Sequence, residues 1–227
     1  MNYDFARLLD PSPMALEVGY RRLDNGVFHV AVRTDMHKCS GAMLEWWFGS
    51  RPETREYRWW HPADHISSSW EEGEKGNAIG SIHVAEERFC GSPPAKLRIQ
   101  FRDPVEIFGA AQLEAARSAG HVSGLLTAFS GPGEGAQRTP EGVMIGSRLV
   151  HVARDTEWGM VLRSHFLLGF DLPGLGVPAP ALAEMFPDQT GPLLLQHCYD
   201  EFTMLSRILP GIYAAEGISP DQVKRPW

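Results

Sequence analysis

Two residues near the C-terminal end can reach one ion together. His197 and Glu201 stand four apart in QHCYDEFTMLSRILP, and on a helix residues four apart lie one above the other. An imidazole nitrogen and a carboxylate oxygen so placed form a ligand pair for a divalent metal. The segment EYRWWHPADHISSSW, residues 56 to 70, gathers three Trp, one Tyr and two His. An aromatic wall carrying a few convergent polar groups is the make-up of a small-molecule site. Either His61, held extended by the following Pro62, or His65 can supply a further ligand from it. In SIHVAEERF, residues 81 to 89, strand alternation puts His83, Ala85 and Glu87 on one face and Val84, Glu86 and Arg88 on the other. Only one of the two adjacent carboxylates can therefore point inward.

These residues need elements to hold them. Pro192 and the Pro210-Gly211 pair bracket a helix of roughly 17 residues, with apolar residues at Leu194, Cys198, Phe202, Leu205 and Leu209. A second, short helix is expected over GAMLEWWFG, residues 41 to 49, which has almost no polar face and so should be buried. Between them Asn77 to Gly91, Ala95 to Arg102, His121 to Ser130, Gly142 to Arg154 and Gly159 to Gly169 read as strands separated by turn residues, the last two as a hairpin. Their spacing leaves no room for crossover helices, which predicts a mainly antiparallel sheet. Residues 170 to 191 are rich in Pro and Gly, with one helical turn around Ala181 to Phe186, and read as a lid-like loop over the sheet's end. The expected architecture is α+β: a curved antiparallel sheet gripping a C-terminal helix, with a cavity between them. Residues 1–35 read as an N-terminal extension packed on a single catalytic domain, 36–227.

Bulk properties narrow the function. At 227 residues one large core is expected. A net charge of −7 and the lack of any Lys/Arg cluster argue against nucleic acid and against an anionic membrane surface. The N-terminal residues lack a basic start followed by an apolar run, so no secretory signal is expected, and no stretch reaches the length of a membrane span. Cys39, Cys90 and Cys198 are odd in number and far apart, as in a cytoplasmic protein with reduced thiols.

The order of the blocks WWFG (46–49), YRWWHPADH (57–65), IGSIHVAEE (79–87), LVHVARDTEWGMVLRSHFLLG (149–169) and QHCYDEFTMLSRILP (196–210) resembles the 2,4-diacetylphloroglucinol hydrolases, a family that includes phloretin hydrolase. The resemblance covers most of the chain beyond residue 35. It implies a helix-grip fold of the Bet v 1/START type and a zinc ion held by two His and two Glu. The implied reaction cleaves the carbon–carbon bond between an acyl group and a polyhydroxylated ring or β-diketone-like ketone. Carried onto this sequence, it makes His65, Glu86, His197 and Glu201 the metal ligands. His65 is taken over His61 because Tyr57 stands eight residues before it, and Glu86 over Glu87 because the motif reads His, two residues, Glu. It further implies His151 as a catalytic group, and Ser68 stands where a family member carries an amide; Tyr57 is expected to be catalytic by donating a hydrogen bond to a substrate oxygen, and Trp60, His61 and Ser68 are expected around the substrate. The expected partner is a small acylated phenol or diketone, with a homodimer allowed. Two rival readings share the cavity: a metal-dependent cyclase, isomerase or decarboxylase, and a binder of apolar metabolites that transforms nothing.

Overall fold

The computed structural model describes residues 3–216. Met1 and Asn2 of the expected extension, and residues 217–227 of the expected catalytic domain, lie outside the described residues. Eight strands form one antiparallel sheet: β1 (Gly19–Arg22), β2 (Phe28–His37), β3 (His65–Glu71), β4 (Ile82–Glu87), β5 (Ala95–Arg102), β6 (Gly124–Pro132), β7 (Ser147–Thr156) and β8 (Gly159–Leu168). Their order in the sheet is β1-β2-β8-β7-β6-β5-β4-β3. The helices are α1 (Gly41–Gly49), α2 (Thr54–Trp60), α3 (Val105–Phe108), α4 (Ala110–Ser118), α5 (Ala179–Met185) and α6 (Thr190–Ala214). This is the expected α+β helix-grip architecture, with α6 lying along the inner face of the sheet.

The N-terminal region differs from expectation. Residues before 36 are not only packed on the domain: they supply β1 and most of β2, and β2 pairs with β8 from Phe28↔Leu168 to His37↔Gly159. Alternation explains the placement, since Phe28, Val30 and Val32 join the inner core while the intervening residues face outward. The outer face is covered by a one-turn 3-10 helix, Phe5–Leu9, and by α3 and α4, whose Phe108, Leu113 and Ala116 pack with Leu8, Leu9, Val150 and Val152. Arg163, on that face, holds the segment down by donating to Glu17 and to the carbonyls of Asp10, Pro11 and Ser12. Helices α3 and α4 do join β5 to β6, but as an excursion over the outer face that leaves the two strands antiparallel.

Helix α1 matches its expected span; Ser40 caps it by accepting from the Met43 amide. It rests on β6 where a Cβ at Gly41 would stand 2.3 Å from the Gly124 nitrogen, so only glycine fits. Helix α6 is longer than the expected stretch, 25 residues, because it runs through Pro210. A proline leaves the carbonyl four residues back without its amide donor; here that carbonyl belongs to Ser206, and the Cys39 thiol donates to it at 3.6 Å. The stripe Leu194, Cys198, Phe202, Leu205 and Leu209 is buried as its spacing predicts. Burying each large apolar side chain stabilises the grip by about 1.5–3 kcal/mol.

Candidate metal centre and its cavity

Three elements bring imidazoles and carboxylates to one buried point. Helix α6 presents His197 and Glu201 from adjacent turns toward β3 and β4. His65 is the first residue of β3 and stands opposite Glu87 of β4, whereas the next pair is Ser67 with Glu86. Ile66 is thus an extra residue, a β-bulge. Without it, His65 would share the outward parity of Ser67 and Ser69; with it, the imidazole turns inward.

The carboxylate at this point is Glu87, not the expected Glu86. Glu86 lies on the opposite face of β4, half-exposed, and accepts from the Ser67 hydroxyl at 3.0 Å. Strand alternation requires this, because the inner face of β4 is His83, Ala85 and Glu87. The His65 Nε2 atom is 3.7 Å from Glu87 Oε2 and 3.7 Å from Glu201 Oε2, and His197 Nε2 is 3.8 Å from Glu87 Oε2. Donor atoms of His65, Glu87 and His197 all lie within 4.8 Å of one another.

Three of the four candidate donor groups, His65, His197 and Glu87, are aimed by a bond behind them. His65 Nδ1 donates to the Tyr57 carbonyl at 2.8 Å, so its Nε2 carries a lone pair and, although buried, has no hydrogen-bond partner. His197 Nδ1 donates to Asp64 Oδ2 at 3.0 Å, which leaves its Nε2 lone pair facing Glu87. The Tyr57 hydroxyl donates to Glu87. These spacings suit a tetrahedral ion, whose ligand atoms at about 2.0–2.2 Å from the metal stand roughly 3.3–3.6 Å apart. An orphaned lone pair, two pinned imidazoles and two carboxylates therefore fit a divalent cation. A second triad, His61, Asp64 and His197, has similar spacing. In that triad His197 Nδ1 and Asp64 Oδ2 are already joined by a hydrogen bond of 3.0 Å.

The electrostatics agree with a site built around missing positive charge. Burial, and then the charge of Glu87, push the Glu201 carboxyl well above the usual range, against a Cys198 hydrogen bond acting the other way. Burial pushes His65 down to about 2 and keeps it neutral, as a ligand must be. For Asp64, burial is outweighed by hydrogen bonds from His197 and the Cys90 amide, and its carboxyl lies below the usual range. Asp64 was not among the expected site residues, yet it ties the β3 turn, the segment after β4 and α6 together, accepting also from the Gly91 amide.

The other expected residues divide. Trp60, Tyr57 and His151 line a cavity of about 760 Å³ between α6 and the sheet, along with His83, Glu87, His197 and Glu201. His151 is buried against Phe166 and Phe202, shares a 2.8 Å hydrogen bond with the Ser164 hydroxyl, and is pushed down to about 4 by burial. His61 and Ser68 are not among the residues lining the cavity. The His61 ring stacks on His197, centroids 5.0 Å apart. Ser68 donates to the Pro52 carbonyl at 2.7 Å and is 2.9 Å from His83 Nε2, which places it behind His83.

Fold and site together define a helix-grip protein with a buried histidine–carboxylate centre at one end of a largely apolar cavity. The chain belongs to the DAPG hydrolase PhiG domain family, a family of hydrolases whose model matches residues 2–214. No curated protein matches it. Among solved structures, protein Ms6760 from Mycobacterium smegmatis is similar at 10% identity and TM-score 0.46, over 84% of this chain and 94% of that one. Ara h 8.0201 is similar at 12% identity and TM-score 0.47, over 82% of this chain and 99% of that one. No described helix is long and apolar enough to cross a membrane.

Proposed function

We propose that this chain is a zinc-dependent hydrolase of acylated polyhydroxyphenols or related β-diketones, cleaving the bond between the acyl carbon and the ring. The observation that carries the reading is the convergence of His65, Glu87, His197 and Glu201 on one buried point, with the last three lining the cavity and with His65 Nε2 buried and without a partner among the described residues. A zinc ion held there supplies Lewis-acid polarisation of a substrate oxygen. Two carboxylates balance the dication, so a neutral phenol meets little net charge.

The chain's own groups divide the remaining work. Tyr57 and Asp64 hold Glu87 and His197 in place and exclude alternative tautomers. His151, neutral at pH 7, takes the proton of a substrate ring hydroxyl on its nitrogen not bonded to Ser164 and returns it to the ring carbon that carries the acyl group. Protonation there yields the keto tautomer, in which the ring carbon is tetrahedral. Water then adds to the acyl carbonyl, the acyl–ring bond breaks, and its electron pair returns to the ring as an enolate that rearomatises to the phenol. The products are a carboxylic acid and the deacylated phenol. Trp60 and Phe202, edge-on with centroids 5.7 Å apart, bound the space for the ring.

Elemental analysis and turnover test this together. About one zinc per chain is expected in the parent, with loss of metal and of acetylphloroglucinol cleavage in His197→Ala and in Glu201→Ala. A parent that stays metal-free after reconstitution, or variants that keep both metal and activity, overturn the proposal; cavity binding without turnover then points to a non-catalytic binder.

A further inference from the structure

The cavity is much longer than one ring. Along α6 its wall runs from Glu201 and Phe202 through Leu194 and Leu193 to Thr190. The eleven steps from Thr190 to Glu201, at 1.5 Å each, make this roughly 16 Å, about three helical turns. The titratable groups are gathered at the Glu201 end; the stretch beyond is walled mainly by apolar side chains, Leu193 from the helix and Leu97, Leu149 and Leu168 from the sheet, with only neutral polar residues such as Ser147 and Gln189 among them. Strand registers support this ordering. His151 pairs with Leu126 one step deeper than Leu149 with Ala128, and Ser130 with Ser147 follows toward the Thr190 end. Its volume, about 760 Å³, falls in the upper part of the range for drug-sized ligands of roughly 300–1,000 Å³.

We infer that the outer two-thirds of the cavity is a channel for an extended apolar acyl chain, so that the favoured substrates carry a linear alkyl tail rather than an acetyl group. A ring at the Glu201 end takes about one helical turn and leaves roughly 10 Å. At about 1.3 Å per carbon of an extended chain, this holds about eight carbons. Among the described residues nothing charged faces that stretch, so a tail ending in a carboxylate or ammonium gains nothing by entering it. The inference rests on the proposed reaction only for what occupies the Glu201 end.

The test uses the zinc-loaded protein and 4-alkylresorcinols, which present hydroxyls and a tail but no acyl bond. Titration calorimetry is expected to show Kd falling about three- to fourfold per methylene from ethyl to about octyl, and then levelling. In Leu193→Gln the advantage of octyl over ethyl should shrink by about tenfold; because Leu193 is only half-buried, this variant should fold, as its thermal midpoint will report. A Kd flat beyond ethyl in the parent, or an unchanged octyl advantage in folded Leu193→Gln, overturns the channel. The two proposals fail separately. Length-dependent binding with no acylphloroglucinol hydrolysed leaves the channel and removes the reaction; hydrolysis with flat binding does the reverse.

Discussion

The Tyr57 ring lies flat on the imidazole of His65, with centroids 3.6 Å apart and planes 6° from parallel. The same residue pins His65 Nδ1 with its carbonyl and Glu87 with its hydroxyl. One tyrosine thus sets the direction of two candidate metal-donor groups, and its only O–H proton is committed to Glu87. That differs from its expected role as a donor to substrate. Tyr57→Phe should keep the stack and the fold while weakening zinc binding by about 10-fold, as loss of an outer-shell partner does. Chelator competition, with thermal melting as the fold control, checks this; unchanged affinity would show that the hydroxyl does not hold Glu87 for the metal.

Glu86 and Glu87 offer a direct contrast. Glu87→Gln should lose the metal, whereas Glu86→Gln should retain it and shift stability by no more than about 0.5 kcal/mol, as surface changes do. Inductively coupled mass spectrometry on the two purified variants decides between them, and the reverse result would place the ligand on the other face of β4.

Asp64→Asn should lower zinc affinity by about 10- to 100-fold, because an amide can turn its NH₂ toward His197 and favour the wrong tautomer. Asp64→Ala should in addition loosen the Cys90–Gly91 segment, read as faster amide exchange at those two residues. Protection there that matches the parent would argue against the tether.

On the outer face, His29 and His165 are buried together, 3.0 Å apart through Nε2 and Nδ1. Burial pushes His29 down to about 4 and His165 to about 3, the second helped by the charge of His29. Unfolded, both titrate near 6.5, so below that pH the unfolded chain binds more protons. Stability is therefore full above about pH 7 and falls with acidification, by at most about 1.4 kcal/mol per pH unit for each imidazole. Denaturant unfolding at pH 7.5 and pH 5.0 should show the drop, and the double substitution His29→Leu, His165→Leu should reduce it. An equal drop in the double variant would assign the pH dependence to other groups.

How much of this was legible in the sequence varies with the physics of each element. The 3.6-residue spacing on α6 carried the pairing of His197 with Glu201, and turn residues marked β5 and the β7–β8 hairpin. Helix α2 was hidden because Thr54–Trp60 merges into an aromatic run that reads equally as a strand. The choice between Glu86 and Glu87 could not rest on alternation alone: Ile82 and Val84 on the Glu86 face are also buried, against Phe129 and Met144, so both faces of β4 look like core. The bulge at Ile66 leaves no sequence signature, and Asp64 in PADH reads as an ordinary turn residue. Pro210 misled in the opposite direction, since its compensating donor, Cys39, comes from 171 residues away.

The pairing of β2 with β8 also bears on the order in which the chain can acquire its structure. Partners in that ladder are separated by 122 to 140 residues, and such non-local pairings slow folding because loop closure precedes any reward. During synthesis β2 emerges early and waits as an unpaired edge until β8 follows. The donors His65 and Glu87 likewise wait for α6, the last described element. The buried cluster is thereby completed late, on docking of the last described helix, and a nascent chain halted before residue 197 has all eight strands of the sheet and no finished cluster.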